Sequence, residues 1–313
     1  MATRLTILGS YAKALVVTAD RIPVTGETLL GRDYRETYGG KGSDMAVQAA
    51  RLGAQVSFVG VVGEDNLGRE FLELMTAEGV DTTGIRITPE RNTGVGLIIK
   101  DNGGANIIVV DMGANELFGA ADIEAAAETI RTADTVLAQL EIPLVTVLLG
   151  LRLARSAGAR TVLNPAPAVD LTGTDLGDVD ILTPNETEAR VVLGLSPEDP
   201  TPNSEIAARI LALGCRTVVM TLGEKGAAAY TIANGKVDEV LTQAWPIDVV
   251  DSNGAGDSFN AALCTALGEG SDLADAAGFA AATAALCCTE WETVPSYHTR
   301  VQVEEFMNRS KEH

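Results

Sequence analysis

From about residue 120 to residue 221 the chain alternates short apolar runs with amphipathic segments, and this rhythm restricts the fold more than any other feature. Apolar runs predict buried strands over 135–140, 160–163, 181–183 and 217–221. Apolar positions at helical spacing predict helices over 122–132, 144–156, 186–193 and 204–213. Strands separated by helices cannot close as tight hairpins. They cross over and lie parallel, with helices covering both faces. The same unit opens the chain: a strand over 5–9, a helix over 43–52 closed by Gly53, a strand over 56–62 and a helix over 67–78 ending at Gly79. The expected fold class is therefore α/β, a mostly parallel central sheet flanked by helices on both faces.

Two stretches break the rhythm. Residues 23–38, with Pro23, Gly26 and Gly31, predict short exposed strands. Apolar runs over 94–100 and 106–110, on either side of Asn102-Gly103-Gly104, predict a β-hairpin. The two stretches are expected to form a small separate β-sheet, a lid over the substrate. The segment 196–203, with Pro197, Pro200 and Pro202, reads as a surface loop.

Composition works by exclusion. A net charge of −20 repels nucleic acid and anionic membrane surfaces, so the expected partners are small molecules. No window reaches the ~18 apolar residues of a membrane span, and residues 1–9 lack the pattern of a signal peptide. The four cysteines form no Cys-x-x-Cys pair and read as reduced, buried small hydrophobes. A cytoplasmic protein is expected. The only histidines are His298 and His313, which excludes a His-centred triad or a multi-His metal site. Acid–base chemistry falls to carboxylates or lysines. No Gly-x-Gly-x-x-Gly follows the first strand, which excludes a dinucleotide-binding fold of that type.

Asp251-Ser-Asn-Gly-Ala-Gly-Asp257-Ser-Phe-Asn260 is the most informative segment. A Gly-Ala-Gly turn entering an Ala-rich helix lets backbone N–H groups approach a phosphate, and the helix N-terminus adds positive potential. A carboxylate in that first turn opposes anion binding. It makes chemical sense if Asp257 takes a proton from an attacking hydroxyl while the N–H groups hold the transferring phosphoryl group. The plainer reading is a first-turn capping acid. Tyr38-Gly-Gly-Lys-Gly-Ser43 is a second Gly-rich segment before a helix. It is either a flexible connection or a substrate loop, and its spacing is not that of a Walker A loop. Asn164-Pro-Ala-Pro-Ala168 makes a rigid turn at the carboxyl end of a strand, the edge where open α/β sheets bind ligands. In Thr183-Pro-Asn-Glu-Thr-Glu188, Asn185 and Glu188 share one face of a first helical turn, as a cap or as water-mediated Mg²⁺ ligands. Thr221-Leu-Gly-Glu-Lys-Gly226 is a Gly-rich strand end compatible with a nucleotide.

In this order, together with Gln139-Leu-Glu-Ile-Pro143, these segments resemble the ribokinase (PfkB-type) family of carbohydrate kinases, over nearly the whole chain. The resemblance implies a single kinase domain over residues 1–313, with a β-lid from about 12–38 and 92–111 that serves in homodimers. It implies ATP with Mg²⁺ and, as an activator, K⁺. Carried over by position, Asp257 is the base, and Gly254, Ala255 and Gly256 form the anion hole. Asn185 and Glu188 support Mg²⁺, while Asn185, Thr221, Gly223 and Gly226 line the nucleotide side. Gly40, Lys41, Asp44 and Glu141 face the sugar, and Asp251 and Ser296 hold a monovalent cation.

The chain departs from the family at three places. Ribokinases carry Asn-x-Asp after the first strand; here Ser10-Tyr-Ala-Lys-Ala14 puts Ala12 and Ala14 at those positions. Asp44 stands where they have Asn, and Glu290-Trp-Glu-Thr-Val-Pro-Ser296 replaces a Gly-Ala pair before Pro-Ser. Losing paired polar groups changes specificity, so the expectation is a sugar kinase for which ribose is doubtful. A nucleoside or sugar-acid kinase of the same fold is the near alternative. A phosphosugar acceptor would need bases from Lys13, Lys41 and Arg32. On an extended strand Lys13 would point away from Ala12 and Ala14, to a solvated lid edge. A non-catalytic ligand sensor would have lost the base or the anion hole, and both are present.

Overall fold

The computed structural model describes residues 2–103, 105–233 and 235–310; Gly104 of the expected hairpin turn and His313 lie outside them. The chain runs β1 (Arg4–Leu8), β2 (Ala12–Thr18), β3 (Arg32–Gly39), α1 (Lys41–Arg51), β4 (Gln55–Gly63), α2 (Asn66–Ala77) and β5 (Asp81–Thr88). Next come β6 (Gly94–Lys100), β7 (Asn106–Asp111), α3 (Ala120–Ala125), α4 (Ala127–Thr132), β8 (Thr135–Ala138) and α5 (Leu144–Ser156). β9 (Arg160–Leu163), β10 (Ile181–Leu182), α6 (Glu186–Val192), α7 (Asn203–Leu211) and β11 (Thr217–Thr221) follow. The antiparallel pair β12 (Ala227–Ala233) and β13 (Lys236–Thr242) leads to α8 (Ala255–Gly268), α9 (Leu273–Cys287) and α10 (Arg300–Ser310).

The large sheet has the order β13-β12-β11-β10-β9-β8-β1-β4-β5 and is parallel from β11 to β5. Each central strand serves two cores. On β1, Leu5 and Ile7 enter the core formed with α1, α2, α8, α9 and α10, while Leu8 enters the core formed with α3 to α7. With few aromatics available, α8 and α9 pack through Ala261, Ala262, Ala276 and Ala280, all fully buried. Small side chains let helix axes approach closely, so packing density replaces bulk.

Some elements depart from expectation for identifiable reasons. Helix 122–132 is two helices parted at Ala126. Of the strands expected over 23–38 only β3 forms; its partner β2 lies before that stretch, and no strand lies over 19–31. β5, mostly half-buried, and β13, largely exposed, are edge strands and lack an apolar run. α9 is apolar most of the way round, and a helix without a polar face shows no amphipathic period.

The second sheet has the order β3-β2-β6-β7, with β2 and β6 parallel and both outer pairs antiparallel. Its root is anchored to the core. Tyr11 stacks on Phe71 at 4.3 Å. The expectation of a solvated Lys13 does not hold: its ammonium lies 2.7 Å from Glu70 and over the Tyr38 ring, and the residue is buried. The stem packs while the charge is paired, which a strand pattern alone cannot reveal.

Candidate active site

The carboxyl ends of the parallel strands converge on one edge of the large sheet, and the starts of α1 and α8 meet them there. α1 begins at Lys41, two residues before the predicted start, because Gly40 breaks the chain out of β3 with φ +91°. A Cβ on Gly40 would lie 2.8 Å from the Tyr11 backbone, so only glycine lets this turn close on the segment after β1.

That closeness builds the floor of the site. The Lys41 backbone N–H donates to Glu141 Oε2 (2.8 Å), and the Ser10 hydroxyl donates to the same oxygen (2.6 Å). Gln139 Nε2 donates in turn to Ser10 Oγ (2.7 Å). Ser10 and Gln139 are thus positioning residues for Glu141, a role that sequence reading missed. Asp44 is 3% exposed, and its Oδ1 has no partner among the described residues.

At α8 the N-cap is Gly254 in the left-handed region (φ +77°), with no side-chain cap. A Cβ there would sit 2.6 Å from the Tyr297 hydroxyl. The N–H of Ala255 leans on Ser252 O (3.3 Å), whereas the next N–H groups of a first helical turn have no intrahelical acceptor. Gly256 is different from Gly254: it has ordinary helical geometry, and a Cβ would meet nothing within 4 Å. Folding does not require glycine there.

Asp257 follows, 6% exposed, with Oδ1 unpartnered. Burial pushes its pKa up to about 6, Lys41 opposes the shift, and Glu141 and Glu188 reinforce it. Lys41 is raised, chiefly by the Asp257 charge. Asp44 is raised well above the usual carboxylate range by burial and then by Asp257 and Glu141. The buried carboxyls of Asp44 and Asp257 therefore titrate as one interacting pair in the field of Lys41.

Asn185 and Glu188 form a full capping box: Asn185 Oδ1 accepts from the Glu188 N–H, and Glu188 Oε2 accepts from the Asn185 N–H (2.8 Å each). The cap reading is therefore correct in geometry. Burial also raises the Glu188 pKa, against the Asn185 N–H and the field of Lys41. An oxygen-only donor set of this kind suits Mg²⁺ held through water.

Asn185 also opens onto a cleft of about 600 Å³ with Thr221, Gly223 and Gly226. Ile247, Val249, Ala281 and Ala285 give it an apolar wall, and Ala255 and Gly256 form its inner end. A cleft with an apolar wall that reaches the start of a helix is of a kind that admits a nucleotide. Trp245 and Cys288 also line it; neither carried a signal in the sequence.

On the other side of Asp257 lies a cavity of about 310 Å³. Gly40, Lys41, Asp44, Glu141 and Asp257 make its floor, and Ala12, Ala14, Ile98, Ile108 and Val110 of the small sheet cover it. Of the three bases considered for an anionic acceptor, only Lys41 lines it. Arg32 pairs with Asp20 on an exposed edge (2.6 Å), and Lys13 is spent on Glu70. Arg35, Lys100 and Glu292, none of them singled out in the sequence, line it instead. Asp251 accepts from the N–H groups of Asn253 (3.0 Å) and Glu292 (3.2 Å). The Ser296 hydroxyl donates to Thr293 O (2.7 Å) and lies 3.2 Å from Cys287 Sγ. No hydrogen bond joins Asp251 to Ser296 among the described residues, as none need join two ligands of one cation.

Comparison with known proteins agrees with this layout. The model of the pfkB family carbohydrate kinases matches residues 2–300. A ribokinase of Haemophilus influenzae is 36% identical over 310 residues, covering 99% of this chain and 100% of the relative. A deoxyribokinase of Salmonella typhi is 31% identical over 304 residues, covering 96% of this chain and 98% of the relative. The structure of Arabidopsis thaliana ribokinase complexed with ribose and ATP superposes with a TM-score of 0.85 at 31% identity, covering 98% of this chain and 99% of that one. This chain belongs to the pfkB family of carbohydrate kinases and is a phosphotransferase with an alcohol group as acceptor.

Proposed function

We propose that this chain uses ATP with Mg²⁺ to phosphorylate a hydroxyl of a small, uncharged sugar-like acceptor other than ribose, with Asp257 as the base. The observation that carries this reading is the position of Asp257. It lines the covered cavity, while Ala255 and Gly256 of the same helix turn line the nucleotide cleft, and the space at the Gly256 Cβ position is open. Asp257 accepts the proton of the attacking hydroxyl. The first-turn N–H groups and the dipole of α8 hold the negative charge of the transferring phosphoryl group. Lys41 keeps Asp257 from rising further, so the carboxylate is available near neutral pH. Asn185 and Glu188 would hold Mg²⁺ through water, and the ion would neutralise phosphate charge there.

The cavity also bears on the acceptor. It is lined by five acids (Asp44, Glu141, Asp251, Asp257 and Glu292) against the bases Arg35, Lys41 and Lys100. An anionic acceptor would meet net repulsion, which disfavours the sugar-acid alternative. Ala12 and Ala14 present no hydrogen-bonding group. A hydroxyl buried against them would lose about 1–3 kcal/mol of hydration unreturned. The wall suits an acceptor that is deoxygenated or apolar there, and one relative is named a deoxyribokinase.

The small sheet supports two further proposals: a lid subdomain over residues 12–38 and 92–111, and a homodimer through its outer face. Leu97, Ile107 and Val109 alternate with the cavity-facing residues of β6 and β7 and are 44–62% exposed. An apolar sheet face of this kind calls for a cover, and a second copy of the same face is self-complementary. All four cysteines are free thiols, which fits a reducing cytoplasm.

Four outcomes are expected. Asp257→Asn lowers kcat by roughly 10²-fold or more. Its stability effect has a definite sign. A carboxyl raised to about 6 in the fold contributes stability below its unfolded pKa and loses it as pH rises through 6. Replacing it with a neutral isostere should therefore raise Tm at pH 8 and not at pH 3.5; near-wild-type turnover would remove Asp257 from the mechanism. Gly256→Ala should fold with Tm unchanged or slightly higher, since alanine is favoured in a helix by about 1 kcal/mol, yet lose at least tenfold in kcat. A fully active Gly256→Ala enzyme would show that the open space serves nothing. Ribose should be a poor acceptor, and the double variant Ala12→Asn/Ala14→Asp should improve its kcat/KM by tenfold or more; efficient use of ribose by the wild type would contradict the argument from the alanines. Leu97→Glu/Val109→Glu should shift a dimer to monomer in sedimentation, and a monomeric wild type would end the dimer proposal.

A further inference from the structure

Glu292 holds a backbone conformation that its side chain disfavours. Its φ is +72°, in the left-handed region. A non-glycine residue there costs of order 1–3 kcal/mol and persists only when its surroundings hold it. Glu292 lies in the segment 290–296, which departs from the family's Gly-Ala pattern before Pro-Ser, and it bears that cost.

Its contacts show what is obtained in return. The carboxylate meets Arg35 of β3 at 3.0 Å, and the Glu292 N–H donates to Asp251 (3.2 Å). The neighbouring Thr293 hydroxyl donates to Tyr38 O (3.2 Å). Arg35 is 46% and Glu292 22% exposed at the side chain. An ion pair this open to solvent is worth about 0–1 kcal/mol, which does not offset the backbone cost. The pair therefore does not persist for the sake of the fold.

Its location suggests another reason. Arg35 and Glu292 both line the acceptor cavity. In the strand register Ala12 faces Gly39, Ala14 faces Thr37 and Val16 faces Arg35. The two alanines that replace the family's polar pair thus lie toward the floor. Arg35 lies one pleat repeat beyond Ala14, about 7 Å further along the sheet. Ile98 and Ile108, directly cross-strand from each other, continue the apolar cover.

We propose that Arg35 and Glu292 are the specificity-determining pair of this enzyme. They read a polar group at the far end of an acceptor that is longer than a pentose and apolar where it passes Ala12 and Ala14. Arg35 offers donors and Glu292 an acceptor, so a distal hydroxyl or amide can satisfy both. This assignment rests on the kinase reading above.

The test measures kcat/KM with ATP for D-ribose and for three longer acceptors: D-fructose, D-mannitol and uridine. The proteins are the wild type, Arg35→Ala and Glu292→Gly, all as full chains. The wild type should prefer at least one longer acceptor to ribose by tenfold or more. Each variant should reduce that ratio at least tenfold while KM for ATP changes less than twofold. Glu292→Gly, relieved of its backbone strain, should also melt no lower than the wild type. A wild type that is active but ranks all four acceptors as its variants do overturns this assignment and leaves the kinase reading standing. A Glu292→Gly protein that melts well below the wild type and keeps the ranking makes the pair structural. A wild type that turns over none of the four overturns the assignment, and if it also transfers phosphate to no other sugar or polyol, the kinase reading falls with it.

Discussion

The site depends on the cost of burying carboxyl groups beside one another. Asp44 and Asp257 are almost fully removed from water, Glu141 stands close by, and the only ammonium among them is that of Lys41. An ionised carboxylate in such a place is expensive unless it is paired and hydrogen-bonded. Glu141 is satisfied by the Lys41 N–H and Ser10. Asp44 and Asp257 are not: each keeps one oxygen without a partner. Unsatisfied buried polar atoms are rare in native proteins and ask for an explanation. Here they face the cavity where an acceptor hydroxyl would sit.

The rest of the architecture can be understood as what holds that cluster in place. The parallel sheet delivers strand ends to one edge, and α1 and α8 begin there with their N–H groups forward. Gly40 and Gly254 make the two turns that no side chain would tolerate. Two packed cores below, built on small side chains, keep both helix starts fixed against the strands. The small sheet covers the cavity from above while its root is pinned by Tyr11 on Phe71 and Lys13 on Glu70.

Much of this was legible in the sequence, and the reasons are physical. The βα rhythm is a strong periodic signal, and a Gly-rich turn followed by an acid at a helix start has few uses. Asn185 and Glu188 were visible as a pair, though whether as cap or as metal support depended on what faced them. The misses share a cause. Lys13 read as solvated because burial of a charged head depends on Glu70, 57 residues away. α9 lacks a polar face and so lacks a period. Arg35 and Glu292 meet only because a lid strand and a C-terminal turn fold onto the same opening. Glu292 carries no local mark of the left-handed backbone it adopts.

The two halves of the site also differ in kind. On the proposed reading, the phosphoryl side offers glycines and a helix start, whereas the acceptor side combines apolar cover with Asp44 and Asp257, each with one oxygen unpartnered. The most direct test of the account is the pH dependence of kcat/KM with the best acceptor. A base whose pKa lies at about 6 predicts a profile that is flat near pH 8 and falls tenfold per unit below about pH 6. The same descent should be absent from the residual activity of Asp257→Asn. A profile that stays level down to pH 5, or one that descends equally in Asp257→Asn, would contradict the assignment of Asp257 as the base.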